Sequence, residues 1–271
     1  MKFHHALTAM AALAALATPS AWAQDSETET ALAGLADRFA RGFYARDADQ
    51  VLSTVHPELS KLGLRPNFQG FGPMAIENLT PGDLRILGEH YNADGRLDPV
   101  SSTVDVRFFD ATDTVGVFQL TADTDWYDFF LGTRINGEWV LVNCAYGAFD
   151  WIDNPQRDAD MATIRARVET YAAAWDAGDA GAVTQSVYPD FDRRHVDRNG
   201  AREFLAPETL ETIAFSVTDA GASETASEVT VFEATRATGA ARIDAADRTE
   251  WVFLLRVGGE WQIVNSFWTP V

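Results

Sequence analysis

The chain carries one strand-like segment twice. Residues 136–146 read NGEWVLVNCAY and residues 258–268 read GGEWQIVNSFW, so a turn dipeptide, Glu-Trp, an apolar run and Asn recur 122 positions apart. Other pairs follow in the same order along the chain: 39–59 with 171–191, TPGDL at 80–84 with APETL at 206–210, and VGVF at 115–118 with VTVF at 229–232. Two copies of a domain with loops of unequal length produce such ordered matches with a drifting offset. The sequence therefore predicts a tandem repeat.

Each copy begins with helical patterns. Apolar residues recur at helical spacing in both copies, at Leu32, Ala36, Phe39 and Phe43 and at Ile164, Val168, Tyr171 and Trp175. A short second helix is predicted in each copy, with N-caps at Asp47 and Asp179 and ends at Pro57 and Pro189. Prolines 81 and 207 predict the first turn of a third helix.

Strand patterns follow the helices in both copies. In the first copy the predicted strands cover 102–109, 113–121, 126–135 and 138–146; in the second they cover 213–219, 226–237, 247–257 and 260–268. The dipeptides Asn-Gly at 136–137 and Gly-Gly at 258–259 predict two-residue hairpin turns. Helices followed by a curved antiparallel sheet, twice over, predict an α+β fold.

The ends and the middle of the chain predict its organisation. A basic start, a short apolar run and Ala-Trp-Ala at 21–23 predict a cleaved signal peptide over 1–23, and hence a periplasmic or secreted protein. The alternative is an uncleaved N-terminal anchor. The polar run FDWIDNPQRDAD at 149–160 contains Pro155 and predicts a linker. We therefore expect one domain over 24–154 and a second over 155–271.

Composition excludes several classes of partner. The chain has 40 acidic and 21 basic side chains, a net charge of −19, which disfavours binding to nucleic acid and to anionic membrane surfaces. Its single cysteine, Cys144, excludes an internal disulfide and lies in an apolar strand, where a packed thiol is expected. The three histidines beyond the leader, His56, His90 and His195, have no metal-ligand spacing, so we expect no metal and no cofactor.

The first copy resembles the nuclear transport factor 2-like superfamily, and within it the putative lumazine-binding group. The residues that carry the resemblance are HPELSK at 56–61, WYDFF at 126–130 and INGEWVLVN at 135–143. The resemblance implies two tandem cone-shaped, cystatin-like domains, in each of which a curved sheet wraps a long helix around an apolar cavity. The second copy departs from the motif, with Tyr188 in place of His56, Arg193 in place of Lys61 and Glu250 in place of Asp128. We therefore expect its site to differ.

The resemblance implies a small apolar or aromatic ligand. His56, Lys61 and Asp128 form the predicted polar set, with His56 and Asp128 as candidate catalytic groups; the alternative is a structural polar cluster. The full set of predicted ligand-binding residues is His56, Lys61, His90, Tyr91, Trp126, Asp128, Asn143 and Tyr146. His90 and Tyr91 have a solvated loop as their alternative, and the strand aromatics have core packing as theirs.

Two features of the second copy are further candidates for a functional site. The segment PDFDRRHVDRNG at 189–200 gathers Arg193, Arg194 and His195, which predicts either an anion site or a charge-mixed loop. Glu250 is a candidate second acid.

Three functions remain open at this point: a binding protein without turnover, a lyase or isomerase with Asp128 or His56 as general base, and an interaction module in which the two copies form an internal pseudo-dimer or the chain forms a homodimer. A cavity of about 300 Å³ or more would favour a ligand, and a solid interior would favour the interaction module.

Overall fold

The computed structural model describes residues 27–65, 75–122, 126–148 and 151–271. The predicted signal peptide and the Gly-Phe-Gly segment at 70–72 lie outside these residues. Among the described residues, no helix is long and apolar enough to cross a membrane.

Two α+β units of the same plan follow one another. The first comprises α1 (Glu27–Ala45), α2 (Ala48–Leu52), β1 (Val55–Arg65), β2 (Ala75–Asn78), α3 (Pro81–His90), β3 (Val104–Ala111), β4 (Val115–Ala122), β5 (Trp126–Ile135) and β6 (Glu138–Ala148). The second comprises α4 (Arg157–Asp176), α5 (Ala180–Gln185), β7 (Val187–Asn199), β8 (Arg202–Glu208), α6 (Leu210–Ala220), β9 (Glu228–Ala234), β10 (Thr238–Asp244), β11 (Arg248–Val257) and β12 (Glu260–Pro270). The predicted α+β class and the tandem repeat are confirmed.

Each unit forms its own six-stranded sheet with the same strand order. The orders are β2-β1-β6-β5-β4-β3 and β8-β7-β12-β11-β10-β9. In each sheet the first strand pairs in parallel with the last strand, and the other pairings are antiparallel. The long helices α1 and α4 bury their apolar stripes against the inner faces of these sheets, as the helical spacing predicted. The predicted domain border near residue 155 stays a prediction; β6 ends at Ala148 and α4 begins at Arg157.

The predictions for the first strands of each sheet were wrong. Pro57 and Pro189 do not end helices, because α2 and α5 end at Leu52 and Gln185 and both prolines lie in strands β1 and β7. The predicted charge-mixed loop at 189–200 is mostly strand β7. Both strands are edge-proximal and mix charged with apolar residues, so their sequences resemble loops.

The third helix of the second copy was also misplaced. Residues 213–219 form part of helix α6, not a strand, because Ile213 and Val217 are four residues apart and both are buried on one helical face. The helix is capped by Thr209, while Pro207 lies in β8. The N-cap of α3 is Thr80, as the sequence indicated. The predicted strand 226–237 corresponds to β9, which ends at Ala234, and the strand β10 that follows it from Thr238 was not predicted.

The two sheets pack against each other through their outer faces. One apolar cluster contains residues of both units, including Tyr127, Phe129 and Val142 from the first and Trp251, Phe253 and Phe267 from the second. Polar contacts at its edges include a hydrogen bond of 2.6 Å between the hydroxyls of Tyr127 and Thr235 and one of 2.7 Å from Trp251 Nε1 to Asp110 Oδ2. The repeated strands β6 and β12 meet in this interface.

The repeated asparagine has an equivalent role in each copy. Asn143 Nδ2 donates to the carbonyl oxygen of Ser266 at 2.9 Å, and Asn265 Nδ2 donates to the carbonyl oxygen of Cys144 at 3.4 Å. Cys144 and Ser266 follow Asn143 and Asn265 in sequence, so the two bonds are reciprocal. Both side chains are buried. This exchange explains why the chain carries the segment twice: each copy supplies a donor that satisfies the other's backbone.

We expect Asn143→Ala and Asn265→Ala each to lower the free energy of unfolding by about 1–2 kcal/mol, because each leaves a buried carbonyl without its donor. The buried Oδ1 atoms of both residues have no partner in the described part of the chain, so their removal offsets part of the loss. Urea denaturation measures the effect. Asn199→Ala, at the exposed end of β7, is the control and should stay within about 0.5 kcal/mol of the wild type. Equal stability of all three variants would contradict a role for the reciprocal bonds.

Candidate functional site

The site lies on the inner face of the first sheet, where strands β1, β6 and β5 are neighbours. Lys61 on β1 is paired with Cys144 on β6, and Asp128 on β5 is paired with Tyr146 on β6. Side chains two residues apart on a strand point to the same face, so these four residues project together toward helix α1. The sheet thereby brings together residues that are up to 85 positions apart in sequence.

Lys61 and Asp128 form a buried ion pair. The Nζ atom of Lys61 donates to Oδ1 of Asp128, which also accepts from Cys144 Sγ at 3.2 Å. Lys61 Nζ also lies 3.4 Å from Cys144 Sγ. Asp128 has no exposed surface, and its second oxygen, Oδ2, is buried without a hydrogen-bond partner among the described residues. Buried polar atoms are nearly always hydrogen-bonded, so this acceptor is an exception that needs an explanation.

Four aromatic rings surround the Lys61 ammonium group. The Nζ atom lies 4.7 Å from the ring centroid of Tyr146, 5.2 Å from that of Phe130, 5.6 Å from that of Trp126 and 5.7 Å from that of Phe39. Ring faces attract a cation at these distances. The rings therefore offset part of the cost of burying the lysine and fix its position beside Asp128.

Burial and ion pairing shift the pKa of each charged group in opposite directions. Burial alone would lower the pKa of Lys61, but the adjacent Asp128 carboxylate raises that pKa above its usual value, so the lysine stays charged. Burial raises the pKa of Asp128, and the charge and hydrogen bond of Lys61 oppose this rise. Burial also raises the pKa of Cys144, so its thiol stays protonated and donates to Asp128. Each charged group therefore favours the charged form of the other.

A cavity of about 160 Å³ adjoins this pair. The lining residues are Phe39, Phe43, Lys61, Leu79, Leu84, Leu87, Tyr91, Trp126, Asp128 and Tyr146. The cavity is smaller than the sequence-based criterion of about 300 Å³. Edge-to-face contacts among Phe39, Phe43 and Trp126, with ring centroids 5.1–6.1 Å apart, occupy the remaining space. A dry cavity of about 150 Å³ accommodates benzene, so a single-ring molecule fits this volume.

Five of the eight predicted ligand-binding residues line the cavity: Lys61, Tyr91, Trp126, Asp128 and Tyr146. The Tyr146 hydroxyl donates to Glu77 Oε2 at 3.0 Å. The structure thus assembles the lysine, the carboxylate and the aromatic residues that the resemblance indicated.

The other three predicted residues lie elsewhere. His56 is half-buried near Arg194 of the second unit, and its Nδ1 accepts from the backbone N–H of Glu58 at 3.1 Å. Burial lowers the pKa of His56, and the charge of Arg194 adds to this effect. His90 is exposed in the last turn of α3, 4.0 Å from Glu89. Asn143 lies in the interface between the sheets. None of the three is part of the cavity lining.

Several lining residues were not among the predicted ligand-binding residues. Phe39 and Phe43 belong to the apolar stripe of α1, and Leu84 and Leu87 belong to α3. The helical spacing of Phe39 and Phe43 indicated a buried face, but that pattern does not distinguish a residue that fills the core from one that lines a cavity. Cys144 was expected to be a packed thiol; it is buried as expected and also donates to the carboxylate of Asp128.

The second unit carries an ion pair at the equivalent strand positions. Arg193 Nε donates to Glu250 Oε1 at 3.1 Å, where the first unit has Lys61 and Asp128. Glu250 also accepts from the hydroxyls of Tyr171 at 2.9 Å and Ser266 at 2.7 Å and from Arg248 Nε at 3.3 Å. The two sites therefore differ in their hydrogen bonds. Each oxygen of Glu250 has partners, whereas Oδ2 of Asp128 has none within the part of the chain that the structure describes.

The other candidates in the second unit have structural partners. Arg194 Nη1 donates to the carbonyl oxygens of Glu58 and, at 3.2 Å, of Val142, so it joins the two units. His195 stacks on Trp268 with a centroid distance of 4.7 Å. In the described part of the chain there is no group of three or more His, Cys, Asp or Glu side chains arranged to hold a metal ion.

Several solved structures that are similar to this chain are described as nuclear transport factor 2-like proteins. A nuclear transport factor 2-like protein of unknown function from Silicibacter pomeroyi is 18% identical, covers 42% of this chain and 98% of its own, and has a TM-score of 0.36. One from Shewanella baltica is 15% identical, covers 44% of this chain and 98% of its own, and has a TM-score of 0.39. Others are described as having a cystatin-like fold.

A ketosteroid isomerase-like protein from Erwinia carotovora atroseptica is 17% identical, with coverages of 44% and 98% and a TM-score of 0.34. Each of these structures covers less than half of this chain. No protein-family model and no curated protein sequence matches the chain. The likeness to the putative lumazine-binding group stays a prediction.

Proposed function

We propose that the first unit is an exported binding module for a small, neutral molecule that has one flat ring and an N–H or O–H group. The observation that carries this proposal is the buried Oδ2 atom of Asp128, an acceptor without a partner in a residue that lines an otherwise largely aromatic cavity. An acceptor of this kind is stabilised when a ligand supplies the missing donor.

The volume and the charge of the site limit the ligand further. About 160 Å³ between aromatic side chains suits a single ring. Because Lys61 and Asp128 already neutralise each other, a charged ligand would bring an uncompensated charge into a buried site. A neutral ring that donates a hydrogen bond to Asp128 meets both conditions.

Phenol and anisole test the proposal directly, because anisole has the same ring and oxygen but no O–H group. We expect phenol to bind at least about tenfold more tightly than anisole, as a hydrogen bond to a charged group contributes about 1.5–3 kcal/mol. Changes in the NMR spectrum during titration give both affinities. Equal affinities would show that Asp128 does not select a donor, and no binding of either compound would contradict a ligand site of this size.

Two neighbouring residues of α3 provide a matched pair of variants. Leu87 lines the cavity and is 37% exposed, whereas Ile86 is 60% exposed and is not among the lining residues. We expect Leu87→Trp to block the cavity and abolish phenol binding, while Ile86→Trp retains it. If both variants bind phenol like the wild type, the ligand does not occupy this cavity.

A second candidate function is proton transfer with Asp128 as the general base. Burial raises the pKa of this carboxyl, and its free Oδ2 faces an apolar environment, a combination found in catalytic bases. His56 lacks such a position, so Asp128 is the better of the two predicted bases. Asp128→Asn distinguishes the functions once a ligand is known: it removes turnover in an enzyme, whereas a binding protein shows no turnover to lose.

A further inference from the structure

The second unit contains a cavity of about 200 Å³ lined by two buried donors without acceptors. Nε1 of Trp175 and Nη2 of Arg248 have no hydrogen-bond partner within the described ranges. Trp175 is 8% exposed and Arg248 is 6% exposed. The remaining lining residues are 220–223, 245 and 246, together with the acids Asp176 and Asp247. Two unmet donors in the lining of one cavity indicate a missing acceptor.

The two donors are held in place by contacts that do not use them. The guanidinium carbon of Arg248 lies 4.4 Å from the ring centroid of Trp175, so the arginine covers the indole face. Arg248 Nε donates to Glu250 Oε2 at 3.3 Å, and its Nη1 donates to Asp247 Oδ1 at 3.0 Å. These contacts leave Nη2 for another partner. A ligand that supplies an acceptor therefore meets donors that are already ordered, which lowers the entropic cost of binding.

The charges around this cavity favour a neutral acceptor over an anionic one. The positive charge of Arg248 is already matched by the carboxylates of Glu250 and Asp247. Asp176 also belongs to the lining, and its two oxygens accept from the backbone and hydroxyl of Ser227. An anion would therefore approach two carboxylates and one arginine that is already neutralised. A neutral oxygen acceptor does not meet this repulsion.

We infer that this cavity of the second unit binds a small neutral molecule through a carbonyl oxygen, which accepts from Trp175 and Arg248. The inference does not depend on the function proposed for the first unit. The two cavities occupy related places, because Trp175 and Arg248 stand where the first unit has Phe43 and Trp126, both of which line the first cavity. They differ in hydrogen bonding: the first has a free acceptor and the second has free donors. The chain thus carries two sites for two classes of ligand.

Cyclopentanone, cyclopentane and acetate are suitable probes, since they share a small size and differ in the acceptor. The indole ¹H–¹⁵N signal of Trp175, identified by its absence in Trp175→Phe, reports on the site without any change to the wild-type protein. We expect cyclopentanone to shift this signal and cyclopentane to leave it in place. If acetate binds more tightly than cyclopentanone, the site is an anion site and the inference is wrong. If no probe shifts the signal, ordered water alone satisfies the two donors, which also overturns the inference.

Two variants separate this site from the first one. Trp175→Phe keeps a ring beneath Arg248 but removes one donor, so we expect it to weaken cyclopentanone binding about fivefold to tenfold while phenol binding stays unchanged. Because this variant lacks the indole signal, the backbone amide signals of Ala246 and Asp247, which line the cavity, measure cyclopentanone binding in the variant and in the wild type. Leu87→Trp should have the converse effect, with phenol binding lost and cyclopentanone binding retained. Loss of both responses in either variant would show one shared site. A failure of the phenol experiments with a retained cyclopentanone response would refute the proposed function of the first unit alone.

Discussion

Lys61→Met is expected to lower the free energy of unfolding by about 3–5 kcal/mol. The substitution removes the charged partner that Asp128 has among the described residues. Because the Asp128 side chain has no exposed surface, a carboxylate is left buried among aromatic rings. Methionine has a similar length and packs well against aromatic rings, so lost volume contributes little to this effect. Urea denaturation at neutral pH measures the change.

The double variant Lys61→Met/Asp128→Leu shows whether the buried charge is the cause. Because it removes both charges, we expect it to recover most of the stability that the single variant loses. Arg85→Met is the matched control: Arg85 and Asp49 also form an ion pair, at 3.0 Å, but both side chains are largely exposed. It should cost less than about 1 kcal/mol. If the double variant is as unstable as Lys61→Met, the loss does not arise from an unpaired charge.

Acid is expected to remove about 3 kcal/mol of stability through Glu250. Burial alone would raise the pKa of this carboxyl, but Arg193 and Arg248, together with their hydrogen bonds and that of Ser266, lower it to about 2 from an ordinary 4.5. Since the folded protein binds this proton more weakly than the unfolded chain, the contribution is complete above pH 4.5. It is lost as the pH falls toward 2.

Comparison of the wild type with Glu250→Gln isolates this contribution from the other acids. The variant is expected to be less stable than the wild type at neutral pH, because Arg193 and Arg248 lose their shared carboxylate. The difference should shrink as the pH falls from 4.5 toward 2, where Glu250 becomes protonated in the wild type as well. A difference that stays constant over this range would show that the folded structure does not lower the pKa of Glu250.

Much of the fold was predictable from the sequence, because each half of the chain repeats the helix and strand patterns of the other half. The final strands were placed correctly since Glu-Trp and Asn recur within apolar runs beside turn dipeptides. The hairpins β1–β2 and β7–β8 were not predicted, because Pro57 and Pro189 indicated helix ends and the charged residues after them indicated loops. Pairing with the last strand of each sheet overrides these local preferences.

The error for His56 follows from the same cause. His56 and Lys61 lie on either side of an irregular stretch of β1, where the pairing with β6 shifts from Val55–Leu141 to Ser60–Asn143. This irregularity separates the two side chains, and nothing in the local sequence indicated it. Lys61 and Asp128 were predicted together from the resemblance, but not from their spacing.

Other properties of the site depend on packing and have no local signal in the sequence. The volume of the cavity depends on how Phe39, Phe43 and Trp126 fit together, and the free oxygen of Asp128 depends on where Cys144 and Lys61 point. The donors of Trp175 and Arg248 that lack partners among the described residues likewise arise from contacts between α4 and β11 of the second unit. Periodicity identifies a buried face but does not show which buried atoms lack partners.

The reciprocal hydrogen bonds of Asn143 and Asn265 affect how the two halves of this chain can diverge in evolution. When two identical subunits associate, every substitution appears on both sides of the contact, so both pockets change together. Here the contact is kept by a matching asparagine on each side, while the pocket residues differ between the halves, with Phe43 and Trp126 replaced by Trp175 and Arg248. Covalent joining thus allows one half to acquire a new specificity without loss of the other's.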